Sequence, residues 1–240
     1  MAGSSADLVL SGGRIWCGRT AGCAEAVAVA GGRIVAAGPR QAVEALAGPG
    51  TRRIDLAGRL AIPAFNEAHM HLLPYGLGLS QVNLRAEEVR TLDEVLKRIG
   101  AAARAAPKGT WVLGRGYDHF ALDVGRHPTA EELDRAAPDH PVAIRRTCGH
   151  MMVANTVAMR LAGIGHNTPD PEGGVIGRKG GRLTGLFQER AMRLVLDHVP
   201  VPDEAMMVEG IRAACADLAA RGFASATDMN VGMTAGMAEV

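Results

Sequence analysis

The sequence predicts an α/β fold, and three observations carry that expectation. Short apolar runs punctuated by glycine fill the first 60 residues, helical patterns with N-terminal capping signals begin after residue 90, and strand-like runs recur between the helices. Strands that alternate with helices indicate an α/β layer rather than a second all-β domain. The chain has 240 residues, enough for one large domain or two modest ones with a real core.

The early strands are expected at Asp7–Leu10, Arg14–Cys17, Ala26–Ala30, Arg33–Ala37, Arg53–Leu56 and Arg59–Ile62. Gly31-Gly32 separates two of them, a dipeptide able to take the positive φ values of a tight hairpin. Thr91-Leu92-Asp93-Glu94 reads as a capping box, in which hydroxyl and carboxylate satisfy orphan backbone N–H groups, and Leu92, Val95, Leu96 and Ile99 mark one face of the helix after it. Thr129-Ala130-Glu131-Glu132 repeats the signal before a short helix ending near Pro138. Val153–Leu161 is expected to be helical, with Gly163 ending it. Asp203–Arg221 is the longest helical pattern: Met207, Ile211, Ala214, Cys215 and Leu218 share a face and Gly222 follows as a stop. The later strands are Trp111–Gly114, Pro141–Arg145 and Ala224–Asp228, and Gly173–Gly185 reads as a surface hairpin.

Composition narrows the function classes. Lys and Arg number 26 against 25 Asp and Glu, a net charge of +1, so no global field recruits nucleic acid or an anionic membrane surface. No run of about 18 apolar residues supplies a spanning helix. The start, Met1–Asp7, lacks the charged head and apolar stretch of a secretory signal. Cys17, Cys23, Cys148 and Cys215 lack metal-type spacing and read as reduced, buried thiols of a cytoplasmic protein. Met151-Met152 and Met206-Met207 read as core packing, and His127, His140, His166 and His198, near prolines or in polar loops, read as solvated.

The chemical signal lies in Leu60-Ala61-Ile62-Pro63-Ala64-Phe65-Asn66-Glu67-Ala68-His69-Met70-His71. On an extended backbone residues i and i+2 point to one side, so His69 and His71 can present two imidazoles to one ion, directly after a strand. The plain alternative is two surface histidines in a loop. This segment resembles the first-strand motif of the amidohydrolase superfamily, in its amidohydrolase 3 branch of N-substituted formamide deformylase-like proteins. Val29–Gly38, Gly114-Arg115-Gly116-Tyr117-Asp118, His127-Pro128-Thr129 with Leu133-Asp134, Cys148-Gly149-His150 with Asn155, and Thr184–Glu189 are similar to that branch in the same order. Ala64 stands where glycine is usual.

The resemblance implies a (β/α)8 TIM barrel with a small N-terminal β-sandwich domain, of which this chain would supply the N-terminal part. Residues 1–60 would be the sandwich part and 61–240 the start of the hydrolase barrel, with 72–221 an inserted α/β subdomain between the first two barrel strands. It implies a divalent metal, zinc as one or two ions, held by His69 and His71, with further ligands on later barrel strands. None of the three lysines (Lys97, Lys108, Lys179) sits at a barrel strand end. His150 falls where the family has a histidine near the substrate pocket, with helix capping as the alternative. Glu189 either faces the site or is a first-turn helix glutamate, and Asp228 ends a barrel strand, where such folds place catalytic groups. These three are the catalytic candidates. Tyr117, Asp118 and His119 are the substrate-binding candidates, or simply a loop.

The implied activity is hydrolysis of carbon–nitrogen bonds in small amides or cyclic amides by a metal-activated water. The alternative is a catalytically incomplete N-terminal fragment acting as a folding or assembly module. A cupin-type metal protein is a weaker third reading, because Tyr75 stands where cupins place a glutamate. The expected partner is a small-molecule substrate, together with a homo-oligomer or a missing C-terminal part, since only two barrel strands would leave apolar faces in water.

Overall fold

The structure is a computed structural model and describes residues 5–229 and 231–232. The chain start discussed above, up to Ser4, lies outside the described residues. Two compact units emerge among the described residues: one holds residues 5–66 and Gly222–Ser225, and the other holds Glu67–Arg221 and residues 226–229 and 231–232.

The first unit contains β1 (Ala6–Ser11), β2 (Arg14–Trp16), β3 (Cys23–Ala24), β4 (Ala26–Ala30), β5 (Arg33–Gly38), α1 (Arg40–Glu44), β6 (Ala47–Asp55) and β7 (Leu60–Ala61). One sheet has the order β5-β4-β1-β6, antiparallel except where β1 and β6 run parallel, and a second has the order β3-β2-β7. The β4–β5 hairpin closes at Gly31 and Gly32 with φ of 56° and 72°, the left-handed conformation that glycine reaches without a Cβ clash. Val9, Ala26, Ala28 and Val43 bury together as this unit's core.

Beyond it follow β8 (Phe65–Met70), α2 (Leu72–Leu79), β9 (Val82–Asn83), α3 (Leu92–Ala105), β10 (Val112–Tyr117), α4 (Ala130–Ala136), β11 (Val142–Arg146), β12 (Met151–Ala154), α5 (Thr156–Leu161), β13 (Gly174–Lys179), β14 (Arg182–Glu189), a 3₁₀ turn (Arg190–Met192), α6 (Arg193–Leu196), α7 (Glu204–Ala220) and β15 (Phe223–Asp228). β8 pairs with β15, and the other six strands form one mixed sheet in the order β13-β14-β12-β11-β10-β9. The two-residue period of a strand divides the core between the faces of that sheet. Val142, Ile144 and Val153 pack with Val95 and Ile99 of α3 and Leu133 of α4. Ala143, Met152, Ala154 and Phe187 pack on the opposite side with Ala158 and Met159 of α5.

Local signals set most helix starts. Thr91 and Thr129 both form complete capping boxes, with Glu94 and Glu132 respectively. Asp203 caps α7 by accepting from Met206 N–H.

Several expectations are corrected. Val153–Leu161 is not one helix: Val153 and Ala154 belong to β12, and Asn155 caps α5 by accepting from Ala158 N–H. The hairpin expected over Gly173–Gly185 is formed by β13 and β14, and its second strand continues past Gly185 to Glu189. α2 carries no helical pattern, having Pro74, Gly76 and Gly78, yet Pro74 lies in the first turn, where its missing N–H costs nothing. Gly76 abuts α7 so closely that an added Cβ would stand 1.9 Å from Gly210 O. Close packing on α7 thus holds α2 where propensity does not. That contact also narrows the inner face of α7 to Met207, Gly210 and Ala214 and leaves Cys215 exposed. Cys23 and Cys148 are exposed as well and Cys17 is half-buried, because all three sit in turns or at strand ends rather than in a core. Met206 is 55% exposed while Met207 is buried, as adjacent helix positions point about 100° apart. His140 is buried with Nδ1 3.0 Å from Thr110 O and is not solvated, and His127 is half-buried with Nδ1 3.0 Å from the Tyr117 hydroxyl.

Candidate functional site

The contacts collect the sequence-predicted site residues into three groups, all in the second unit. The first lies at the ends of β8 and β15. Alternation along β8 sets His69 and His71 two residues apart, with ring centroids 6.0 Å apart and turned edge to face. Glu67 steadies the strand by accepting His69 N–H at 3.0 Å. His71 is the N-cap position of α2, where its ring meets the carboxylate at the end of β15: Asp228 Oδ2 accepts Leu72 N–H at 2.8 Å, and Oδ1 faces His71 Nδ1 at 3.9 Å. Met229 N–H donates to Met70 O at 3.0 Å and keeps the two strand ends in step.

His71 Nδ1 is buried without a hydrogen-bond partner. A buried polar atom left unpaired costs about 1–3 kcal/mol, and this one faces the Asp228 carboxylate. The 3.9 Å gap exceeds a hydrogen bond, so the carboxylate leaves Nδ1 unsatisfied. The donor set, imidazole with carboxylate, suits a divalent metal of zinc type. Among the described residues no cluster of three or more His, Cys, Asp or Glu is arranged to hold a metal, so the fit is that of a partial ligand set.

The second group pairs His150, on the loop between β11 and β12, with Glu189 at the end of β14. His150 Nδ1 lies 3.0 Å from Glu189 Oε2, and Glu189 N–H donates to His150 O at 2.9 Å. Both side chains are open to solvent. Glu189 has φ of 52° and ψ of −128°, outside the comfortable regions for an L-residue. Such strain costs on the order of 1–3 kcal/mol and persists where surrounding contacts impose it. Glu189 precedes a 3₁₀ turn, so the macrodipole alternative of a first-turn helix glutamate does not describe it.

The third group surrounds the end of β10. Tyr117 is fully buried, its hydroxyl 3.0 Å from His127 Nδ1, and burial raises its phenol above the ordinary range. Asp118 and His119 are joined by Arg146, which donates from Nη2 to Asp118 Oδ1 and from Nε to His119 Nδ1, both at 3.0 Å. A guanidinium only donates, so His119 accepts at Nδ1 and its ring is neutral with the proton on Nε2. Its ring stacks on His127 at 3.9 Å between centroids. Burial, and then the positive charge of Arg146, lower the His119 pKa. Burial above all, with His119 and Arg146 behind it, brings His127 down to about 4. Burial raises the nearby Cys148 thiol, yet Arg146 and the backbone N–H groups of His150 and Cys148 outweigh it and hold the thiol below its usual value.

Sequence reasoning missed Arg146 and His127, the residues that organise the third group. The only signal for Arg146 was a pair of arginines closing an apolar strand; His127 lay in the His127-Pro128-Thr129 segment that carries the resemblance, but its place beside prolines and polar loops read as solvated.

A sequence model of the amidohydrolase family matches residues 52–240. The putative amidohydrolase YtcJ of Bacillus subtilis is 34% identical over 169 residues, covering 70% of this chain and 32% of that protein. The N-substituted formamide deformylase of Arthrobacter pascens is 37% identical over 142 residues, 59% of this chain and 26% of the relative. Among solved structures, an uncharacterized metal-dependent hydrolase from Pyrococcus furiosus superposes with a TM-score of 0.64 at 26% identity, covering 96% of this chain and 46% of that one. A second, from Pyrococcus horikoshii, gives a TM-score of 0.62 over 93% of this chain and 43% of that one. The chain thus spans about a third or less of these curated relatives and under half of the solved structures. With a family match over most of its length and metal-dependent hydrolases as structural neighbours, the chain belongs to the amidohydrolase family.

Proposed function

We propose that this protein is a metal-dependent hydrolase of carbon–nitrogen bonds in small amides or cyclic amides, with zinc as its metal and a (β/α)8 barrel as its framework. The observation that carries the reading is the orphaned His71 Nδ1 facing Asp228 at the paired ends of β8 and β15. A relative named for N-substituted formamide supports the amide class. His69 and His71 would hold the metal, and when bound it would supply a Lewis acid that polarises a carbonyl and makes water a nucleophile near neutral pH.

The chain's own residues then have separable tasks. Asp228 holds the start of α2 through Leu72 N–H and turns its other oxygen toward His71 Nδ1, which sets a carboxylate beside the two imidazoles. His150, oriented by Glu189, is placed to move a proton at Nε2, since Nδ1 is occupied by the carboxylate. Asp118 and His119, locked by Arg146, present a carboxylate and an N–H donor to a polar substrate group, with Tyr117 as the buried wall behind them. The free thiols support a cytoplasmic location.

Equilibrium dialysis against zinc, with metal read by mass spectrometry, tests the site. Two imidazoles hold an ion weakly, and the double variant His69→Ala, His71→Ala should lose that uptake. Uptake that is unchanged in the double variant removes the site as described.

A further inference from the structure

Arg160, His166 and Arg182 line an open cleft of about 660 Å³ whose floor is apolar. Met159 and Ile164 in that floor are buried and Leu183 is half-buried, and the Gly180-Gly181 turn of the β13–β14 hairpin forms one lip. No Cβ position on that turn meets another atom within 4 Å, so the lip leaves the cleft open.

Eight arginines among the described residues hold a carboxylate, and the rim pair is among those that do not. Arg126, Arg146 and Arg178 each hold a carboxylate within 3.0 Å. Among the described residues neither Arg160 nor Arg182 has a carboxylate within ion-pair distance, and both are exposed. No carboxylate among the described residues lines the cleft, and Thr156 on its wall is tied to Asp134, donating from N–H at 3.0 Å and from Oγ1 at 2.5 Å. Arg182 and Leu183 continue into a smaller adjoining cleft of about 210 Å³, where Lys179 adds a cation and Glu131 an anion. The chain carries a net charge of only +1, so this excess of positive charge is a local arrangement rather than a global bias.

Two planar guanidinium groups beside an apolar floor match a particular chemistry. Arginine forks bind carboxylates in a bidentate way, and an alkyl tail gains by leaving water for Met, Ile and Leu side chains. The cleft volume falls within the range of about 300–1,000 Å³ that small-molecule sites occupy. We propose that this cleft binds a small amphiphilic carboxylate, with its head between Arg160 and Arg182 and its tail on Met159, Ile164 and Leu183. None of these residues belongs to the groups around His71, His150 or His119, so the inference stands apart from the metal-site reading.

Hexanoate is the probe, titrated into the 240-residue chain by calorimetry, with acetate (charge without tail) and hexan-1-ol (tail without charge) as comparisons. Saturable hexanoate binding is expected with a Kd on the order of 1 mM, and weaker or no binding of the other two. The variant Arg160→Gln, Arg182→Gln should raise the Kd about tenfold or more, through loss of charge-assisted hydrogen bonds. Arg160→Lys, Arg182→Lys keeps the charge without the fork and should fall between. Both residues are exposed, and far-UV circular dichroism checks each variant's fold. Absence of hexanoate binding to the wild-type chain, equal binding of hexan-1-ol, or an unchanged Kd in the folded Gln variant each overturns the proposal.

Discussion

Replacing Asn155 tests how the six-stranded sheet is tied to its helices. Asn155 is fully buried, and its side chain uses both ends. Oδ1 accepts from Val142 N–H at 2.9 Å and from Ala158 N–H at 3.0 Å, while Nδ2 donates to His140 O at 2.9 Å and reaches Ala137 O at 3.5 Å. One side chain therefore joins β11, the start of α5 and the turn after α4. Asn155→Ala removes an N-cap, worth about 1 kcal/mol, and strands a buried N–H on Val142 and a carbonyl on His140, at about 1–3 kcal/mol each. The expected loss is about 3–7 kcal/mol, a large share of the stability of an ordinary domain. Asn155→Asp should be nearly as damaging, since its second oxygen would face two carbonyl oxygens. Asn155→Ser should recover only the cap, about 1 kcal/mol. Urea unfolding followed by far-UV circular dichroism measures the differences as midpoint shifts at constant slope. A loss below about 1 kcal/mol for Asn155→Ala, the size of an ordinary surface change, would refute the reasoning.

Two further outcomes follow from the same contacts. His127 takes its proton near the ordinary histidine value of 6.5 when unfolded but only near 4 when folded, so its contribution is complete above about pH 6.5 and lost as pH falls toward 4. Urea midpoints of wild type and His127→Gln, compared above and inside that window, should show a smaller acid-side loss in the variant; parallel curves would remove the burial argument. Gly76→Ala would set a Cβ 1.9 Å from Gly210 O and force α2 from α7, costing about 1–3 kcal/mol by overpacking. Gly50→Ala, where a Cβ meets nothing within 4 Å, serves as the neutral control in the same melting experiment.

Much of the local structure was legible because its causes span only a few residues. The Thr91 and Thr129 capping boxes, the Asp203 cap of α7 and the Gly31-Gly32 hairpin depend on groups at most four positions apart. His69 and His71 were legible for the same reason, since a strand's two-residue period suffices to set them on one side. Where a local rule competed with packing, packing won: α2 is helical despite two glycines because Gly76 lies against Gly210, and Val153 is a strand residue because its side chain completes a sheet face.

The sequence by itself therefore determined the α/β pattern, the caps, the turns and the pair of imidazoles, because hydrogen bonds and side-chain periodicity act over a single turn or strand. Only the tertiary structure decided which distant groups complete them. Leu72 and Asp228 meet across 156 residues of chain, and His150 and Glu189 across 39. Burial, which moves His127 down to about 4 and encloses Tyr117, is a property of all the surrounding elements at once. Residue type states what a side chain can donate, accept or ionise; the fold sets the neighbour and the dielectric that select among those options.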